Sequence, residues 1–205
     1  MNSAAYRTPA PPSRLPRVGT TIFTVMSALA AEHGAVNLGQ GFPDFDCDPA
    51  LPQAVNQAMC AGLNQYPPMA GVPALREALA GKIETLYGHR YDPGSEITIT
   101  AGATQAILTA VLAVVGPGDE VIVLEPCYDS YVPNIELAGG TVVRVALKSG
   151  SFRPDFAAIA AAITPRTRAI IVNTPHNPSA TVWSAADMQR LAELLRPTAV
   201  LVIAD

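Results

Sequence analysis

Lysine is nearly missing from this chain of 205 residues: it occurs only at Lys82 and Lys148, and the other basic residues are arginines. No run of basic residues exists and the net charge is -4, which excludes the electrostatic footprint of a nucleic-acid surface. Cysteine is scarce too. Cys47, Cys60 and Cys127 are an odd number at unrelated spacings, which excludes a disulfide framework or a cysteine metal site and fits reduced thiols. No apolar run approaches the roughly 20 residues that a membrane-spanning helix needs. With only 15% charged and 49% apolar residues, the composition is that of a soluble globular α/β protein large enough to bury a core.

Residues 1–17 contain four prolines, at 9, 11, 12 and 16, and read as an extended arm. Arg14 and Arg17, followed by Ile22 to Ala31 with small residues at Ser27, Ala28 and Ala30, imitate the order of a signal peptide. The same stretch reads as an amphipathic helix from about Ile22 to His33, with Ile22, Val25, Met26 and Leu29 on one face. Residues 18–50 comprise this helix and a turn-rich crossing segment, Asn37 to Asp44. Helices are expected over Leu51–Leu63 and Val72–Tyr87, the second opening after Gly71 with Pro73 in its first turn.

From Glu96 onward the pattern becomes regular. Strands are expected at Ile97–Ala101, Glu120–Leu124, Thr141–Ala146, Ala169–Asn173 and Ala199–Ile203. Helices are expected at Thr104–Val115, about Ser130–Ala138, Asp155–Ile163 and Ser184–Leu195. Continuously apolar strands separated by helices call for an α/β fold, a mainly parallel sheet with helices on both faces. Residues 51–205 are assigned to that larger domain.

Ligands of open α/β sheets sit beyond the carboxyl ends of strands. Gly102-Ala103-Thr104 joins a strand to a helix start, where small residues let backbone N–H groups approach an anion and Thr104 adds a hydroxyl. An ordinary helix cap has the same appearance. Tyr128 presents a flat ring that can lie on a heteroaromatic ring or simply fill the rim. Asn173-Thr-Pro-His-Asn-Pro178 offers amides that can donate to a phenolate oxygen, or that merely close Asx-turns. His176 has no carboxylate near it in sequence and reads as a structural loop residue. Asp205, the last residue, ends an apolar strand. It reads either as the partner of a protonated pyridine nitrogen or as a strand-end acid facing solvent or capping a helix.

Taken together, Val36–Phe45, Leu63–Pro67, Thr100–Gln105, Gly118–Val121, Glu125–Tyr131 and Asn173–Trp183 resemble the class I/II aminotransferases, fold-type I enzymes that use pyridoxal 5'-phosphate. The likeness is strongest to their kynurenine/methionine branch and runs from about residue 18 to the end. It implies that Gly102, Ala103 and Thr104 hold the phosphate and that Tyr128 stacks on the ring. It further implies that Asn177, supported by Asn173, bonds the phenolate and lies near the substrate, and that Asp205 pairs with the ring nitrogen. Gly41 and Phe23 are implied at the substrate, and Tyr66 at the phosphate of the neighbouring subunit of a homodimer.

The Schiff-base lysine that the resemblance implies is not present. Lys82 falls in a long helix, and Lys148 follows the third strand away from its mouth. The chain therefore reads as the N-terminal half of a cytoplasmic transferase of amino groups from methionine, aromatic or kynurenine-like amino acids to 2-oxo acids, inactive by itself. A carbon–sulfur lyase with the same cofactor shell, or a non-catalytic regulatory module, are the alternatives. No metal, nucleic-acid or membrane partner is expected.

Overall fold

The computed structural model describes residues 13–15, 18–41 and 43–205. Most of the arm expected over residues 1–17 lies outside the described residues. The chain forms two compact units: Gly19–Thr100, and Ala101–Asp205 together with the described residues before Gly19.

The Gly19–Thr100 unit is built on α1 (Ile22–Glu32), α2 (Ala50–Cys60) and α3 (Pro73–Tyr87). Thr21 caps α1 by accepting the Thr24 N–H at 3.3 Å, while α3 starts on Pro73 and stops at Gly88 in the left-handed region (φ +71°). Each helix begins and ends within about three residues of the expected limits. Ile97–Ala101 is a correction. It carries no strand ladder among the described residues. The Ile99 N–H donates to Ala70 at 3.0 Å, and the Arg76 guanidinium donates to the carbonyls of Ile97 (2.9 Å) and Gly94 (2.8 Å). Alternation of Ile97 and Ile99 with threonines predicted a strand, but these contacts satisfy the segment without one.

The Ala101–Asp205 unit alternates α4 (Ala103–Val114), β1 (Glu120–Glu125), α5 (Tyr131–Ala138), β2 (Thr141–Ala146), α6 (Phe156–Ala162), β3 (Thr167–Val172), α7 (Ala185–Leu195) and β4 (Leu201–Ala204). The four strands lie in the order β2-β1-β3-β4 and every pairing is parallel. Along β1 the side chains alternate between two cores. Ile122 and Leu124 join Phe156, Ile159, Leu191 and Leu195 of α6 and α7. Val121 and Val123 join Ile107 and Val111 of α4 and Tyr131 and Ile135 of α5. Helices thus cover both faces, and each fully buried aliphatic side chain contributes about 1.5–3 kcal/mol.

Caps explain why the helix limits were legible. Asp155 accepts from Ala157 and Ala158 at 3.1 Å each, and Ser184 forms a capping box with Asp187. At the amino ends of the strands Glu120 is clamped. Its carboxylate accepts from the Thr164 hydroxyl at 2.6 Å and Arg166 Nε at 2.8 Å, which hold it below the usual carboxylate range. Helix α5 stops at Gly139 (φ +87°), and Gly140 follows where a Cβ would lie 2.6 Å from Val115 Cγ1 and 3.1 Å from Ile135 Cγ2.

Because Val115 and Ile135 are both buried, Gly140→Ala in the intact protein should destabilise it by about 1–3 kcal/mol. Gly116→Ala, where a Cβ meets nothing within 4 Å, should leave stability unchanged or slightly raised. Urea midpoints at constant slope measure both, and equal midpoints for the two variants would refute the packing argument.

Candidate active site

After β1 the chain passes through α5 to β2 on one side. It then returns across β1 to place β3 on the other. That reversal makes the carboxyl ends of β1 and β3 the kind of switch point at which open α/β sheets bind ligands. To it lead Pro126-Cys127-Tyr128 from β1, the Asn173–Asn177 turn from β3, and Asp205 from β4. Helix α4 also opens towards this edge. Its twelve residues rise about 18 Å, and its carboxyl end is tied to the amino end of β1 by a short turn closed by Gly116 and Asp119. Gly102, at φ +87°, therefore starts α4 on the side where the strands end, with Ala103 and Thr104 in the exposed first turn.

Asp205 is the hub of this edge. Its backbone N–H donates to Val172 at 2.9 Å, and its backbone oxygen accepts from the Asn173 side-chain amide at 2.9 Å and from the Thr174 N–H at 3.3 Å. Its carboxylate Oδ2 accepts the hydroxyl of Tyr131. Asn173 Oδ1 in turn accepts the Asn177 N–H at 2.6 Å, so one side chain ties the turn both to itself and to β4. The amide of Asn177 is exposed. Tyr128 is half-buried and stands edge-on to Tyr131, ring centres 5.9 Å apart at 71°.

Tyr131 was not singled out as a site residue in the sequence. Its ring is 2% exposed and belongs to the α4–α5 core, while its hydroxyl reaches a residue 74 positions away. The available signal was its place in the Glu125–Tyr131 segment, and no spacing rule links it to Asp205. Burial first, and then the bond to Asp205, push its phenol far above the usual value, so it remains a proton donor. Burial and Glu125 push the Cys127 thiol up to about 11, which removes it as a nucleophile at neutral pH.

His176 is structural by its contacts. It is 5% exposed, its Nδ1 shares a 2.6 Å bond with the Ser179 hydroxyl, and its backbone closes the turn with Thr181 and Ala180. Phe23, Gly41 and Tyr66 belong to the Gly19–Thr100 unit; Phe23 is half-buried, Gly41 is exposed, and Tyr66 is 99% exposed. Lys82 lies on α3 of that unit. Lys148 is nearer to a strand mouth than its sequence position implied, two residues beyond the carboxyl end of β2. That strand is the opposite sheet edge from β4, and three strand spacings separate them by about 14 Å. Among the described residues no group of histidine, cysteine and acidic side chains is arranged to hold a metal ion, and no helix is long and apolar enough to cross a membrane.

Comparison with known proteins gives the geometry a context. The model of the family described as aminotransferase class I and II matches residues 33–205. The methionine aminotransferase of Escherichia coli (strain K12) is 53% identical over 195 residues, covering 95% of this chain and 50% of that protein. Kynurenine–oxoglutarate transaminase 1 of Rattus norvegicus is 37% identical over 205 residues, covering 94% of this chain and 48% of that protein. The crystal structure of the Escherichia coli protein YbdL, identified as having a methionine aminotransferase function, superposes with a TM-score of 0.92 at 53% identity. That match covers 96% of this chain and 51% of that one. The chain spans about half the length of the relatives it matches.

The buried loop histidine makes a pH prediction. Burial lowers the His176 pKa from its ordinary value near 6.5, so the unfolded state binds a proton that the folded state refuses. Its contribution to stability is complete above that ordinary value and is lost as pH falls through the lowered one. Stability of the intact protein should therefore rise with pH across this window. His176→Gln should flatten the slope and lower stability at pH 8 by about 1 kcal/mol through loss of the Ser179 bond. Chemical denaturation at several pH values measures this, and an unchanged slope in the variant would refute it.

Proposed function

The chain belongs to the aminotransferase class I and II family, and from that premise we propose that it supplies the cofactor-ring side of a pyridoxal 5'-phosphate aminotransferase. The observation that carries the proposal is the hub at Asp205. An acid at the end of an apolar strand is fixed by Val172, Asn173 and Tyr131, and its carboxylate Oδ1 has no partner among the described residues. A protonated pyridine nitrogen is the complement of such an acid.

The remaining donors fit the same group. The first-turn N–H groups of α4 at Ala103 and Thr104, with the Thr104 hydroxyl, suit a phosphate. Tyr128 offers a ring face held at a fixed angle by Tyr131. Asn177 offers an exposed, neutral amide for a phenolate oxygen, and the bond from its backbone to Asn173 holds its turn in place. When bound, the cofactor supplies an electron sink for bond breaking at the amino-acid Cα. In this reading Asp205 holds the proton on the ring nitrogen, Tyr128 and Asn177 orient the ring, and the start of α4 anchors the phosphate.

The substrate assignments rest on the resemblance: methionine, aromatic or kynurenine-like amino acids as donors, 2-oxo acids as acceptors, with Phe23 and Gly41 at the substrate. The homodimer with Tyr66 at the neighbouring phosphate, and the cytoplasmic location, have the same basis. The resemblance implies neither Lys82 nor Lys148 as the Schiff-base lysine, so on this reading these 205 residues by themselves should show no turnover.

In a full-length protein carrying this sequence, Asp205→Ala should lower kcat/KM for methionine with a 2-oxo acid by about a hundredfold to a thousandfold. His176→Gln should remain within about tenfold of the parent, since its contacts, to Ser179 and to the Pro126 backbone, are structural. Repeated turnover that releases ammonia and a thiol together with a 2-oxo acid, with no acceptor present, would instead identify a lyase. Equal losses in the two variants would overturn the role given to Asp205.

A further inference from the structure

Ring-nitrogen chemistry needs the Asp205 carboxylate to present one oxygen in one direction, and backbone bonds alone do not secure that. The strand and the Asn173 amide fix where Asp205 begins, yet two rotatable bonds separate its backbone from the carboxylate. Among the described residues a single side-chain contact orients it, the Tyr131 hydroxyl on Oδ2. We propose that Tyr131 is a positioning residue for the reaction: its phenol fixes the rotation of the Asp205 carboxylate, so that Oδ1 faces the cofactor nitrogen. The inference rests on the reading of Asp205 as the partner of that nitrogen.

Three features make Tyr131 suited to this. Its ring sits in the core with Ile107, Val111 and Ile135, and it is the first residue of α5, with its N–H on the Tyr128 carbonyl at 3.3 Å. The hydroxyl therefore cannot swing away without repacking two helices. The bond has one direction only: an ionised carboxylate accepts, so the phenol must donate, and burial keeps it protonated. The donor is also neutral. An arginine or lysine in the same place would compete with the ring nitrogen for the carboxylate, whereas a phenol orients the acid and leaves its charge in place. The edge-on packing of Tyr128 against the same ring links the two orientations, since the side chain aiming the acid also sets the plane of the ring-stacking tyrosine.

The test uses a full-length protein carrying this sequence, loaded with pyridoxal phosphate labelled with ¹⁵N in its ring. Tyr131→Phe keeps the buried ring and removes only the hydroxyl. The variant should lower kcat by about tenfold to a hundredfold with KM changed less than threefold, as expected for a lost hydrogen bond to a charged group. The ring-nitrogen resonance should move towards its unprotonated position, and melting of the cofactor-free protein should stay within a few degrees of the parent. A purely structural role would lower the melting temperature and leave the nitrogen resonance of the loaded protein where it was, which overturns the proposal. A second measurement needs no variant to fold. The Tyr131 Cζ resonance of the parent, labelled in tyrosine, should shift on cofactor loading, and an unmoved resonance also overturns the proposal. If the parent protein does not bind pyridoxal phosphate, the functional reading fails together with this inference. If it binds and Tyr131→Phe matches the parent in nitrogen resonance and kcat, the inference alone fails.

Discussion

Strand β1 is the constraint on which the Ala101–Asp205 unit depends. It is hydrogen-bonded to β2 on one edge and β3 on the other, and its side chains are buried on both faces. Parallel neighbours cannot be joined by hairpins, so each connection must cross the sheet through a helix. The alternation of Val121 and Val123 against Ile122 and Leu124 then demands cover on both sides. All strands point the same way, so their carboxyl ends share one edge. The reversal of order at β1 and β3 makes that edge the switch point at which open α/β sheets bind ligands.

Acids at the sheet edges are held in two ways. Glu120 with Arg166 and Asp119 with Arg168 at the amino edge, and Glu125 with Arg144 at the carboxyl end of β1, form charge pairs. The groups that hold Asp205 are neutral: the Asn173 amide, the Tyr131 phenol and backbone N–H groups. This division has a physical reason. A charged partner fixes an acid but also neutralises it, whereas amides and phenols fix it and leave its field available. No basic side chain contacts Asp205 among the described residues.

Much of this was legible in the sequence because it is written locally. Thr21, Asp155 and Ser184 mark helix starts, Gly88 and Gly139 mark ends, and runs such as Val121–Leu124 announce strands buried on both faces. The carboxyl-end rule places Tyr128, Asn173, Asn177 and Asp205 beyond strands that form, whereas for Gly102 it leaned on a strand at Ile97–Ala101 that does not. What failed was non-local. Ile97–Ala101 has the composition of a strand, but a strand is a relation between two segments, and the ladder partner it needs is not written in its own residues. Phe23, Gly41 and Tyr66 carry no local signal of function at all, and their roles come from the resemblance alone.

Tyr131 and Asp205 show the same limit in the site itself. A tyrosine opening a helix reads as core filling, and an acid ending a strand reads as a residue facing solvent or capping a helix. The ring of Tyr131 does fill the core and the carboxylate of Asp205 is exposed. Only their contact joins the two facts into a third. A donor rigid enough to be core and polar enough to reach the edge holds an acid that is exposed but not free to turn. An exposed acid with no such donor averages over its rotamers and shows solvent a diffuse charge. Held on one oxygen, it presents the other as a fixed acceptor, and that preorganisation distinguishes a binding group from a surface charge.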